Sequence, residues 1–244
     1  MRRFVQAFAD PAGFSPALPP TVRELLALSP AHYNLGKGDD AAVLFVVDAH
    51  WKIATMRWGL VPSWEPEPST RYSTQTARLE RAPRSRLYRR AWASRRCVVP
   101  MNGYYKWDRE ARPRQPYFIQ ARSGEPLFAA GLWSLWGDPA GDNLLSFSLL
   151  THENAAIPPP LFPDGPWFLP QPAIAQWLAA DARAASRLLL GFVQPALEAY
   201  PVTRRVADRR RDDYALLEPV PVGSEDDAIA GPEDMAFLDE DDGD

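Results

Sequence analysis

Cysteine is almost absent from this chain: Cys97 stands alone among 244 residues, so no internal disulfide framework can form. Histidine is scarce as well. Three scattered histidines and one cysteine do not supply the ligand spacing of a structural zinc site, and no cofactor is expected. No stretch approaches the roughly 20 consecutive apolar residues of a membrane span. The opening MRRFVQAFAD holds neither an apolar h-region nor a small-residue cleavage site, and reads as lacking a secretory signal. These absences fit a cytoplasmic protein without membrane contact. Phosphate-cradling glycine loops, HExxH and GxSxG are missing too, which removes the common nucleotide-hydrolase, zinc-protease and serine-hydrolase signatures.

Positive charge is missing from the last 21 residues, where ten carboxylates stand without one Lys or Arg. The formal net charge of −4 is therefore misleading, because the preceding 223 residues carry 27 bases against 21 acids. Residues 1–222 read as one domain and 223–244 as an acidic, disordered tail. The tail suits two roles: an intramolecular competitor for the basic surface, or an element that recruits another protein.

The 26 prolines punctuate short apolar runs rich in β-branched and aromatic residues. Strands are expected at Val43–Val47, Lys52–Trp58, Cys97–Val99, Tyr117–Gln120, Leu127–Leu132 and Leu145–Leu150. Thr21 with Glu24 reads as a capping box opening a helix through Leu28. Pro172 followed by AIAQWLAA reads as a second helix with proline in its first turn, and Gln194–Ala199 as a short third. The expected class is α+β, mostly β: a compact, partly barrel-like antiparallel core with peripheral helices.

Between residues 71 and 96 lie nine arginines and no lysine. Guanidinium forks grip phosphate bidentately and stack on bases, which a lysine does less well. Just upstream, Arg57-Trp-Gly-Leu-Val-Pro-Ser-Trp64 places two indoles on a loop shaped by Gly and Pro. Aromatics interleaved with arginines suit single-stranded nucleic acid, with bases stacked on the rings and arginines along the backbone. Cys97 sits in an apolar run and reads as core, and His152-Glu153 as a turn hydrogen-bonding pair.

Several segments together resemble the SOS-response-associated peptidase (SRAP) family of abasic-site processing proteins. They include Tyr33-Asn34, Arg57–Trp64, Thr76-Ala-Arg78, Arg95-Arg-Cys-Val-Val-Pro-Met-Asn-Gly-Tyr-Tyr-Lys-Trp107, Gln115-Pro-Tyr-Phe-Ile119 and Ala129-Ala-Gly-Leu-Trp133. Ser146-Phe-Ser-Leu-Leu-Thr151 and Ala199-Tyr-Pro-Val-Thr203 continue the match in order. The resemblance implies an SRAP-like fold with a positively charged groove for single-stranded DNA, including DNA with abasic sites. It assigns DNA-facing or groove-shaping roles to Arg57, Trp58, Trp64, Arg78 and Thr151, and Arg3, Arg95, Arg96 and Asn102 are expected to bind DNA beside them.

In the family, a cysteine after the initiator Met captures the abasic-site aldehyde through its amine and thiol, assisted by an Asn, a Glu and a His. This chain departs at each place. It begins Met1-Arg2-Arg3-Phe4, with Arg2 where the cysteine is expected; Thr76 replaces the Asn, and Lys106 the Glu. The His position falls on Leu161 or Phe162. A DNA-binding relative without thiol chemistry is the leading expectation. One alternative is an altered enzyme that captures the aldehyde through an amine, on Lys106 or the Met1 α-amine. Another is a protein-interaction module that has lost DNA binding.

Overall fold

The structure, a computed structural model, describes residues 1–137 and 141–223; the acidic tail lies outside the described residues. Twelve strands and four α-helices are named here in chain order. They run β1 Arg3–Gln6, α1 Pro20–Ala27, β2 His32–Leu35, β3 Asp40–Val47, β4 His50–Trp58, β5 Thr76–Arg78, α2 Arg89–Ser94 and β6 Arg96–Met101. The chain continues with β7 Gly103–Asp108, β8 Gln115–Ala121, β9 Leu127–Gly137, β10 Asn143–Glu153, β11 Asp164–Pro166, α3 Ile174–Ala179, α4 Ala185–Leu190 and β12 Leu197–Pro201.

The expected mostly-β core is present, and its barrel is closed. The strand order β10-β4-β3-β6-β9 returns to β10 through the β9–β10 ladder, from Asn143 opposite Gly137 to Leu149 opposite Gly131. Most ladders are antiparallel, but β10 meets β4 and β5 in parallel. A second sheet, β12-β8-β7-β1-β2, packs its Phe4, Tyr104 and Ile119 against barrel residues such as Trp58, Val99 and Phe147. Gln6 ties the two layers: its amide nitrogen donates to the Ala42 and Pro100 carbonyls, and its oxygen accepts from the Ala42 N–H. The helices cover the other side of the barrel, where Trp92, Trp177, Leu189 and Leu26 form a second core.

Each of the six expected strands exists, and most are longer than their apolar run because the ladder carries polar residues too. The long β10, for example, begins at Asn143 and ends at Glu153. Three expectations at element ends are corrected. The first helix has Pro19 as its N-cap, with no side-chain cap, so Thr21 and Glu24 lie inside it; Pro20 sets the first turn instead. Pro172 sits in a 3-10 turn, Gln171–Ala173, that leads into α3. The region around Gln194–Ala199 is not helical. Leu197 and Ala199 face the core as strand β12 pairs with β8, while Glu198 on the opposite face accepts from the Gln120 amide at 2.8 Å. Gln194 stands outside the strand, clamping Phe168 by bonds to its N–H and C=O, both at 3.0 Å.

Candidate functional site

The two sheets meet at the start of the chain. Strand β1 pairs with β7, setting Arg3 opposite Tyr105, so Met1 and Arg2 continue toward Lys106 at the next position of β7. From the barrel, β10 brings Thr151 between Arg78 of β5 and Pro166 of β11. The Lys106 ammonium nitrogen spans this junction and donates to the backbone carbonyl of Asp164 at 2.5 Å. The Asp164 carboxylate turns the other way, to the exposed Arg78 guanidinium at 2.5 Å. Gly165 is closely packed here: a Cβ would come within 2.7 Å of the Ile157 terminal methyl and 3.1 Å of the Tyr104 hydroxyl.

Electrostatically the corner is cationic. Burial, then the neighbouring Lys106, pushes the Met1 α-amine down to about 5. Burial also lowers Lys106 to about 8; Asp164 acts against this shift, while Arg109 and Arg78 add to it. A desolvated amine faced by cations is held toward its neutral, nucleophilic form. Asp164 and Arg109 were not singled out by sequence: Asp164 follows a proline-rich run, and only the register of β11 against β10 reveals its place.

The other family positions lie on β5 and in the segment leading into β11, two strands that both pair with β10. Thr76 lies on β5 opposite Leu149 of β10, half-buried. Of the two residues at the histidine position, Leu161 is buried in the core and Phe162 is 69% exposed, two residues before Asp164.

The expected DNA-facing set divides. Arg57, Arg78 and Arg95 keep surface access, as does Trp64, which is 37% exposed. Arg3 does not: it is buried, donating to the Asn34 side chain at 3.2 Å and the Ala207 carbonyl at 2.8 Å. Arg96 is also internal, donating to the carbonyls of Trp92, Trp177 and Ala180. Trp58 is core, edge-on to Phe4 at 4.9 Å, with its indole N–H on the Gln75 carbonyl at 2.9 Å. Thr151 is buried between two strands. The Asn102 amide closes a loop with Ala7, accepting from its N–H at 2.7 Å and donating to its carbonyl at 3.3 Å. These five residues are held by packing or hydrogen bonds within the fold.

Of the nine arginines between 71 and 96, seven are exposed, and three of the nine pair with tryptophan, Arg96 internally with Trp177 and two others nearer the surface. Arg86 lies 5.1 Å over the Trp64 ring and Arg95 5.2 Å over Trp133. Between them is a cavity of about 390 Å³ lined by Trp64, Trp133, Arg90, Arg95, Ser94 and Ser134 among others, with no carboxylate in its wall. Its strand β9 residue Trp133 sits opposite Phe147, four positions along β10 from Thr151, a separation of about 13 Å at the usual rise per residue. Gly59, at φ 120°, turns the chain out of β4 into the Trp64 loop, a conformation that other residues rarely adopt.

Cys97 is fully buried, and burial pushes its thiol well above the ordinary range, which agrees with a core role. His152, at the end of β10, pairs through Nδ1 with Glu80 and packs edge-on to Trp167 at 5.0 Å. Among the described residues no helix is long and apolar enough to cross a membrane.

The sequence profile of the family described as SOS response associated peptidase (SRAP) matches residues 9–209. The abasic site processing protein YedK of Escherichia coli (strain K12) is 26% identical over 192 residues, which covers 77% of this chain and 84% of that protein. The abasic site processing protein YoqW of Bacillus subtilis (strain 168) is 24% identical over 190 residues, covering 76% and 85%. An X-ray structure of a protein from Bacteroides thetaiotaomicron superposes with a TM-score of 0.74 at 19% identity, over 90% of this chain and 99% of that one. A second, from Bordetella bronchiseptica, gives 0.67 at 25% identity, over 83% and 100%. With the profile spanning most of the described chain, and the fold shared by both crystal structures, the protein belongs to the SRAP family.

Proposed function

We propose that this protein binds single-stranded DNA, including strands with abasic sites, in the DNA damage response of the cytoplasm. In this reading it does not carry out the thiol-based cross-linking that the family resemblance implies. The observation that carries the reading is the exposed arginine and tryptophan surface from Trp64 to Arg95, which adjoins a cationic corner at Arg78 and Lys106. The relatives' description as abasic site processing proteins supports the choice of DNA as the partner.

Chemistry supports the second half. Thiol capture needs an accessible thiolate. The chain's lone thiol, Cys97, is enclosed in the core and held protonated. Where the resemblance calls for Glu and Asn, Lys106 and Thr76 stand, and neither can act as the expected carboxylate acid–base.

The test is binding of a labelled single-stranded oligonucleotide, with and without a tetrahydrofuran abasic analogue, at two salt concentrations. Affinity is expected to fall steeply with salt, with a log–log slope of about −0.7 for each phosphate neutralised. Absence of binding, also after deletion of residues 224–244, would overturn the reading and favour a protein-interaction role.

A further inference from the structure

We propose that Lys106 captures the aldehyde of the ring-opened abasic sugar as an imine, and that the imine drives strand scission by β-elimination. This inference rests on the DNA-binding reading and gives that site a chemistry of its own. Its basis is where the lysine stands. Lys106 is half-buried at the junction of the two sheets, between strands β7 and β11. Its amine is held by a neutral backbone carbonyl, while the nearby Asp164 carboxylate is engaged by Arg78. The charged groups around it are Arg78, Arg109 and the Met1 α-amine on the cationic side, with Asp164 as the acid. A lysine that only gripped phosphate would sit exposed in water, whereas this one is desolvated among cations, the setting that activates Schiff-base lysines. As an internal side chain, it also offers an amine whatever processing the N-terminus undergoes.

The reaction balances without an oxidant or a metal. The neutral nitrogen adds its lone pair to the sugar C1′, forming a C–N bond as the carbonyl π pair moves to oxygen. Loss of water gives the protonated imine. A proton then leaves C2′ to solvent, and its electron pair forms a C2′–C3′ double bond. The C3′–O bond breaks and the 3′ phosphate departs with the pair of that C–O bond. Water hydrolyses the unsaturated imine and returns the free lysine.

The experiment uses the full chain and an oligonucleotide in which one deoxyuridine has been converted to an abasic site. With cyanoborohydride present, a covalent adduct is expected on a denaturing gel, with its mass on the Lys106 peptide; without reductant, a nicked strand is expected. Both yields should rise as pH passes through about 8, where the amine loses its proton. In Lys106→Arg, adduct and nicking should fall by on the order of 10²-fold or more per molecule of oligonucleotide bound, with occupancy read in parallel on the tetrahydrofuran analogue. If the analogue binds but no adduct forms, the lysine inference fails and the binding reading stands. An adduct that survives Lys106→Arg, or that maps to the Met1 α-amine, also overturns it. If neither oligonucleotide binds, the failure belongs to the binding reading itself.

Discussion

Arg95 and Arg96 are neighbours in the chain and opposites in the molecule. Arg96 points into the helix-covered side of the barrel, with its guanidinium spread over three backbone carbonyls beside Trp177. Arg95 lies at the surface over Trp133, lining the cavity next to Trp64. The same contrast separates the tryptophans. Trp58, Trp92 and Trp177 are core residues whose indole N–H groups bond backbone carbonyls, whereas Trp64 is partly open. Arginine and tryptophan are therefore used twice in this fold, once as internal braces and once as a surface for a ligand. A count of them along the sequence mixes both uses.

The largest effects should come from breaking the internal set. Arg96→Ala leaves buried carbonyls without a donor, at about 1–3 kcal/mol for each one left unsatisfied. Trp58→Ala should cost about 3–5 kcal/mol through the cavity it opens beside Phe4 and Phe147. Denaturant unfolding measures both. A variant of either residue that unfolds like the wild type but has lost DNA binding would reverse its assignment to the core.

The surface set should behave the other way. Arg78→Ala removes an exposed ion pair with Asp164, and should change stability by no more than about 1 kcal/mol. Its effect should show in DNA affinity, with the salt slope reduced in magnitude by about 0.7 for each phosphate that the variant leaves without its cation. Arg95→Ala is expected to follow it. The comparison becomes sharper if the two effects add, since the residues lie on separate parts of the surface.

How much of this was legible in the sequence follows from the same division. The central strands were readable because β-branched runs such as Val43–Val47 fill a ladder, and the family blocks pointed to Thr76, Arg78 and Lys106. Strand β1 was not, since four residues at the start of the chain gain their structure from β7 and β2 on either side. Strand β12 read as helix because its alternation is only five residues long. Arg3, Arg96 and Asn102 looked like ligand contacts because sequence shows that a polar residue is wanted, but not whether its partner is a phosphate or a carbonyl of the chain itself. Asp164 was invisible for the complementary reason: its partners Arg78 and Lys106 are 86 and 58 residues away.

The smallest effect should separate the cationic corner from the rest of the surface by its response to pH. In the unfolded chain Lys106 keeps its ordinary value of 10.5, while in the folded protein burial lowers it to about 8. Between about pH 8 and 10.5 the unfolded state thus binds the proton and the folded state does not. Stability should rise with pH across that window, and below it the cost of the buried charge is constant. Lys106→Met removes the group, so the difference in unfolding free energy between variant and wild type should favour the variant at pH 7 and shrink as pH climbs through the window. Arg90→Met, which removes an exposed cation from the surface, provides the control. If the difference between Lys106→Met and wild type is flat from pH 7 to 10.5, the lysine is as well solvated as that arginine. The corner would then be a continuation of the phosphate-binding surface, without a chemistry of its own.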